Sequence, residues 1–262
     1  MELIDTHCHL DFEPLSGVSN PEKLRLTLSL AQAEGVSTII VPAVSASRWD
    51  AVLRVCADVG PVKCLPALGM HPCFLAEHRN DDLLLLEQYL QAHSQVKALG
   101  ECGLDLYVDE PQEARQIRLL DSQIELAKRF ELPLLLHGRR AVDQVIKRLR
   151  QKRPPAGGVL HAFSGSEQQA KQLWDLGFYI GIGGSITYER AQRLRRVVKA
   201  VPLESILLET DAPDMPMSGF QGEPNWPHRV GYAARTLAAI RGVDVVEIAH
   251  QTSANARRLL RL

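Results

Sequence analysis

Short apolar runs alternate along this chain with longer stretches in which apolar positions recur every three or four residues. Eight such runs stand out: Leu3 to His7, Val36 to Pro42, Lys63 to Gly69, Val96 to Glu101, Leu132 to His137, Gly158 to His161, Phe178 to Gly181 and Ser205 to Asp211. Each is rich in leucine or β-branched residues and lacks strict polar alternation, as strands buried on both faces of a parallel sheet do. Between them the spacing predicts helices such as Pro21 to Glu34, Ser47 to Val59, Pro111 to Arg129 and Ser166 to Leu176, several opened by Pro or Ser. This order predicts parallel strands joined by crossover helices. No repeat, low-complexity tract or linker interrupts it.

Length narrows the architecture. With 262 residues and 45% hydrophobic content, the chain lies near the roughly 250 residues of a (β/α)8 barrel. The expected fold is therefore α/β, a TIM-type (β/α)8 barrel occupying residues 1–262 as a single domain. Counting runs also admits a doubly wound sheet. The net charge of −1 removes a global basic field, so any nucleic-acid contact must be local and weak. Met1-Glu2-Leu3-Ile4-Asp5 lacks a basic leader, and no later run approaches the ~18 apolar residues of a membrane span. The expectation is a soluble cytoplasmic protein with no membrane partner. Composition does not determine the oligomeric state; a monomer is favoured. Cys8, Cys56, Cys64, Cys73 and Cys102 form no CxxC pair and are read as reduced packing residues.

The chemistry collects where the runs end. His7 and His9 stand at i and i+2, so in an extended strand both rings share one face and can meet one ion while Cys8 points away. Taken alone, the pair also fits polar residues at a strand end. However, Glu101 closes the fourth run, His137 the fifth, His161 the sixth and Asp211 the eighth. In a barrel these ends share the face where active sites are built. Four imidazoles and two carboxylates suit a borderline divalent ion, or two ions about 3.5–4 Å apart sharing a carboxylate.

Six ordered motifs carry a resemblance along the whole chain: Asp5-Thr6-His7-Cys8-His9-Leu10-Asp11, Gly69-Met70-His71-Pro72, Gly100-Glu101-Cys102-Gly103-Leu104-Asp105, Leu136-His137, His161-Ala162-Phe163-Ser164-Gly165-Ser166 and Leu208-Glu209-Thr210-Asp211-Ala212-Pro213. With these the sequence resembles the TatD-type metal-dependent hydrolases and deoxyribonucleases of the amidohydrolase superfamily. The stretch from Asp211 to Gly222 looks most like the YjjV branch. The resemblance implies two divalent ions (zinc, manganese or magnesium), with His7, His9 and Asp211 on one, His137 and His161 on the other, and Glu101 bridging. Many superfamily relatives bridge their metals with a carboxylated lysine. Lys97 does not fit that role, lying four residues before Glu101 and roughly 13 Å deeper along the strand.

Other positions admit two readings. The resemblance would set His71 beside a substrate phosphate, but a turn histidine fits as well. Ser164 and Ser166 can hold a phosphate at a helix start or simply cap that helix. The glycines from Gly181 to Gly184 fit phosphate binding or a tight turn. Glu209 is read as a brace pointing into the barrel. Lys147, Arg148, Arg150, Lys152 and Arg153 complement a helix C-terminus away from the site, whereas Arg139 and Arg140 follow His137 on the site face. Many relatives carry Lys-Arg-Asn before Glu-Pro; here Gln221 and Gly222 precede Glu223-Pro224, which lowers expected DNA affinity.

The expected function is divalent-metal-dependent hydrolysis of ester bonds, resembling a phosphodiesterase or 3'-5' exodeoxyribonuclease on short or single-stranded nucleic acid. Asp211 and Glu101 are the candidate catalytic residues, Asp211 as proton shuttle. His71, Arg139, Ser164 and Ser166 are the candidate substrate contacts. The alternative is amide, lactone or ester hydrolysis of a small metabolite, since the same ions polarise a carbonyl. A binding scaffold without catalysis predicts lost ligands, and all six ligand positions are filled.

Overall fold

Eight parallel strands hydrogen-bond in sequence order: β1 (Leu3–Asp5), β2 (Val36–Pro42), β3 (Lys63–Leu68), β4 (Ala98–Asp105), β5 (Leu134–Arg139), β6 (Gly158–Leu160), β7 (Phe178–Ile182) and β8 (Ile206–Leu208). The helices that cover them are α1 (Pro21–Ala33), α2 (Trp49–Ala57), α3 (Asp82–Ala92), α4 (Glu113–Arg129), α5 (Val142–Lys152), α6 (Glu167–Asp175), α7 (Gln192–Ala200), α8 (Val230–Arg241) and α9 (Val245–Leu260). The structure, a computed structural model, describes residues 1–15, 20–57 and 60–262. The last two residues of the helix expected over 47–59 lie outside them. The described part of that helix starts with a 3-10 turn at Ala46–Arg48. Among the described residues no helix is long and apolar enough to cross a membrane.

The sheet closes. Thr6 donates from both N and Oγ1 to Leu208 O at 3.0 Å, Asp211 N donates to His7 O at 2.8 Å, and His9 N donates to Ala212 O at 2.7 Å. A doubly wound sheet would leave two open edges, so these bonds decide for the barrel. Asp5 pins the seam: its carboxylate accepts from His7 N, Thr210 N and Thr210 Oγ1 at 3.2, 3.0 and 2.6 Å.

Side-chain alternation divides the core in two. Ile4, Ile40, Leu65, Ala67, Ala98, Leu135, Val159, Tyr179 and Leu207 form an inner cluster, joined by Ala256, Leu259 and Leu260 of α9. Their strand neighbours face outward into the larger cluster beneath the helices. Two residues beyond the inner layer come His137, His161 and Glu209, so pleating alone raises them on the inner face above an apolar plug.

Strand ends differ from the sequence reading in informative ways. β1 stops at Asp5 rather than His7, because the chain bends at Thr6 to meet β8. β4 runs on to Asp105 rather than ending at Glu101. Its pairing with β5 shifts register between Leu99 and Cys102. Gly103 permits this continuation: its φ is 143°, and a Cβ there would lie 2.1 Å from His137 O. The basic residues after β5 do close α5, where Arg148 and Lys152 pair with Asp121 and Glu125 of α4.

Replacing Asp5 by Ala would strip three donors of their acceptor inside the seam. Stability should fall by about 3 kcal/mol or more, with unpaired buried donors as the cause. Urea unfolding of the variant beside the wild type measures this; an unchanged midpoint would remove Asp5 from the seam.

Candidate metal centre

Two imidazole nitrogens and two carboxylate oxygens meet at the top of the seam. His7 Nε2 lies 3.3 Å from His9 Nε2, 3.2 Å from Glu101 Oε2 and 3.6 Å from Asp211 Oδ1. His9 Nε2 lies 3.6 Å from each of the same two oxygens. Four ligands held tetrahedrally at 2.0–2.1 Å from one ion stand about 3.3–3.4 Å apart. The spacing therefore fits a metal, and the nitrogen–oxygen donor set suits a borderline divalent one.

A second group shares the same carboxylate. Glu101 Oε1 lies 2.8 Å from His161 Nε2, 3.3 Å from His137 Nδ1 and 3.1 Å from His71 Nε2, while His137 Nδ1 and His161 Nε2 are 3.2 Å apart. Each Glu101 oxygen thus faces its own set of imidazoles. Asp211 reaches the first set from a backbone with φ of 57°, a conformation Asp tolerates better than most residues.

The imidazoles are held from behind. His137 Nε2 contacts Asp105 Oδ2 at 2.9 Å, and Asp105 Oδ1 accepts from Tyr107 N at 2.8 Å. Gln116 clamps Asp105 further, accepting from its N at 2.7 Å and donating to its O at 2.8 Å. Such carboxylate–histidine pairs fix the ring and raise its basicity as a ligand. His9 Nδ1 meets Pro42 O at 3.1 Å, and His71 Nδ1 accepts from Cys73 N at 3.1 Å. Glu209 Oε1 accepts from Ala162 N at 2.5 Å and stays 3.9 Å from His161 Nδ1. Gly181 makes room for it, since a Cβ there would lie 2.1 Å from Glu209 Oε2.

Charge in this buried cluster is finely divided. Burial alone would raise the Glu101 carboxyl, but His71, His161 and His7 hold it well below the usual range. Asp211 behaves alike: burial opposes ionisation, and its bond to His9 with the nearby imidazoles outweighs it. Burial and His161 push His7 down to about 4. His9 and His161 resist their burial and rise to about 9 and about 10, driven by Asp211 and Glu101.

The cluster opens into a cavity of about 690 Å³ lined by His9, Glu101, His137, His161 and Asp211. His71, Arg139 and Ser164 are on its wall. Ser166 is not among the lining residues: its hydroxyl accepts from Gln169 N at 3.2 Å and caps α6 in a capping box. The six anticipated ligand positions come together, and His71 lies closer to Glu101 than a remote substrate contact would. Asp105 was given no role of its own in the sequence reading, and Gln116 was not singled out at all. Asp105 had a signal, standing four residues beyond Glu101 in a strand that the pattern ended too early.

A closed eight-stranded parallel barrel with this donor set at its mouth defines a class, the metal-dependent hydrolase barrels. The chain belongs to the TatD-related DNase family, whose model matches residues 4–261. It is 46% identical over 247 residues to YjjV of Escherichia coli K12, an uncharacterized metal-dependent hydrolase, covering 94% of this chain and 93% of that one. It is 38% identical to an uncharacterized metal-dependent hydrolase of Haemophilus influenzae, covering 98% of each. The crystal structure of the E. coli YjjV protein superposes with a TM-score of 0.93 at 44% identity, covering 99% of this chain and 98% of that one. A TatD-family hydrolase from Entamoeba histolytica shares the fold at 20% identity, with a TM-score of 0.85 over 99% of this chain and 98% of that one.

Two outcomes follow from this geometry. Because Glu101 faces both donor sets, Glu101→Gln should lower the total divalent metal bound per chain by elemental analysis; unchanged metal content would remove Glu101 from the centre. With His9 and His161 rising to about 9 and about 10, both rings are protonated at pH 7 without metal. Ligation requires them neutral, so metal uptake should release protons and weaken as pH falls. Calorimetry in buffers of different ionisation enthalpy counts those protons; zero release would contradict the assigned charges.

Proposed function

We propose that this protein hydrolyses phosphoester bonds at a centre of two divalent ions, acting on nucleic-acid ends or short single strands. The observation that carries this reading is Glu101, whose two oxygens face separate imidazole sets beneath a cavity with Arg139 on its wall. Bound divalent ions would lower the pKa of a water toward neutrality and neutralise phosphoryl oxygens.

The chain's own residues divide the remaining work. Asp211 is the candidate base: its side chain is 15% exposed against 3% for Glu101, and it lines the cavity. Its lowered pKa keeps Asp211 ionised, the form a base requires. His71 faces the cavity beside Glu101 Oε1, where it can donate to a substrate oxygen. Arg139 adds positive charge at the wall, and Ser164 a hydroxyl. Asp105 orients His137 through its contact with Nε2. The net charge of −1 keeps affinity local, which favours short strands over long duplexes.

Asp211→Asn keeps an oxygen ligand and removes the base. Hydrolysis of a chromogenic phosphodiester should fall roughly 10²-fold or more at saturating metal, the scale of a lost general base. Full recovery with added metal would leave Asp211 a ligand only. Lactones and amides assayed in parallel test the class: turnover of either at ten times the kcat/KM of every phosphoester would overturn the phosphoester reading.

A further inference from the structure

Beside the metal cavity, two guanidinium groups converge on one exposed ring. Tyr107, just beyond β4, is 47% exposed. The Cζ atoms of Arg139 and Arg140 lie 3.9 and 4.2 Å from its ring centroid. Among the described residues neither guanidinium has a carboxylate partner, unlike Arg129, Arg148, Arg229 and Arg257, which pair with Glu87, Asp121, Glu223 and Glu2. Two unpaired like charges gathered on one ring repel each other, and an anion between or beside them relieves that repulsion.

The cluster is built into the frame of the centre. Tyr107 N donates to Asp105 Oδ1 at 2.8 Å, and the other oxygen of that carboxylate meets His137 Nε2 at 2.9 Å. Leu106 N donates to Arg139 O at 2.9 Å, tying the segment after β4 to the end of β5. Arg140 takes a φ of 52°, unfavourable for a long side chain, and its guanidinium sits over the ring. Arg139 lines the metal cavity while Arg140 does not, so the pair spans from the wall of the cavity to its rim.

We propose that Tyr107, Arg139 and Arg140 form a second anion subsite, which receives the phosphate flanking the scissile one in an oligonucleotide. Tyr107 supports the guanidinium planes and the two arginines grip the phosphate oxygens. This rests on the phosphoester reading and adds that the preferred substrate carries at least two phosphates. The scissile phosphate belongs to the metals, His71 and Ser164; its neighbour belongs to this clamp.

The test uses the metal-loaded full chain with Arg140→Ala, which lies outside the metal cavity. Two substrates are compared: bis(4-nitrophenyl) phosphate, with one phosphate, and a thymidylate trinucleotide bearing a terminal phosphate. For the trinucleotide, KM should rise roughly tenfold with kcat nearly unchanged, the scale of one charge-assisted contact. For the one-phosphate substrate, kcat/KM should stay within about twofold. Independently, binding of fluorescein-labelled oligothymidylate in chelator should lose about 0.7 from its log–log salt slope, as one phosphate contact disappears from a single strand. Equal losses on both substrates, or no change in KM together with an unchanged salt slope, would overturn the subsite. A larger loss from Arg190→Ala would do so too, moving the strand to the recess lined by Ser185, Tyr188 and Arg190. If the wild type cleaves neither substrate, the phosphoester reading fails while the salt slope still decides whether the clamp binds phosphate.

Discussion

The seam between the first and last strands is the constraint on which this molecule depends. His7 and Asp211 are separated by nearly the whole chain, and Asp211 N donates to His7 O at 2.8 Å. The entropy of closing so long a loop must be offset locally. The chain does so with the buried Asp5 carboxylate, two bonds to Leu208 O and the bond from His9 to Ala212 O. The same bonds remove both sheet edges and set two imidazoles beside Asp211. Fold closure and assembly of the first donor set are one event.

Glu101 performs the equivalent service at the centre of the mouth. A buried carboxylate is costly unless it is paired. Here five imidazoles surround it, His161, His71 and His137 on one oxygen and His7 and His9 on the other, with Asp105 extending the network behind His137. Below this polar layer the barrel is filled by aliphatic side chains, Tyr179 and α9, which exclude water from beneath. The ionisable groups therefore depend on one another, and metal is the natural neutralising partner for so many nitrogen and oxygen donors in one place.

The loops after the strands determine what approaches this centre. The loop containing Asn225 is committed to structure: the Asn225 side-chain amide donates to Thr210 O and Met215 O at 2.9 and 3.2 Å. Glu223 is engaged with Arg229. Gly181 and Gly183 likewise serve packing, lying against Glu209. Positive charge is instead offered by Arg139 and Arg140. A chain with little net charge can thus still present cations beside the cavity.

Much of this was legible in the linear sequence. Apolar runs at crossover spacing announced parallel strands, and pleating carried His137 and His161 to the inner face two residues above Leu135 and Val159, because a period of two survives whatever the partner strand is. His7, His9, Glu101 and Asp211 were visible as candidates for the same reason: polar residues ending apolar runs are uncommon without a purpose. What the sequence could not decide depends on contacts between distant segments. Closure rather than an open sheet rests on bonds between residues near 6 and near 210. The register shift between Leu99 and Cys102 carried β4 past its expected end and brought Asp105 behind His137. Ser166 capped a helix while Ser164 faced the cavity, and two adjacent arginines met on Tyr107. Periodicity is a property of one strand and can be read alone, whereas register, capping and charge pairing exist only once a second segment has arrived.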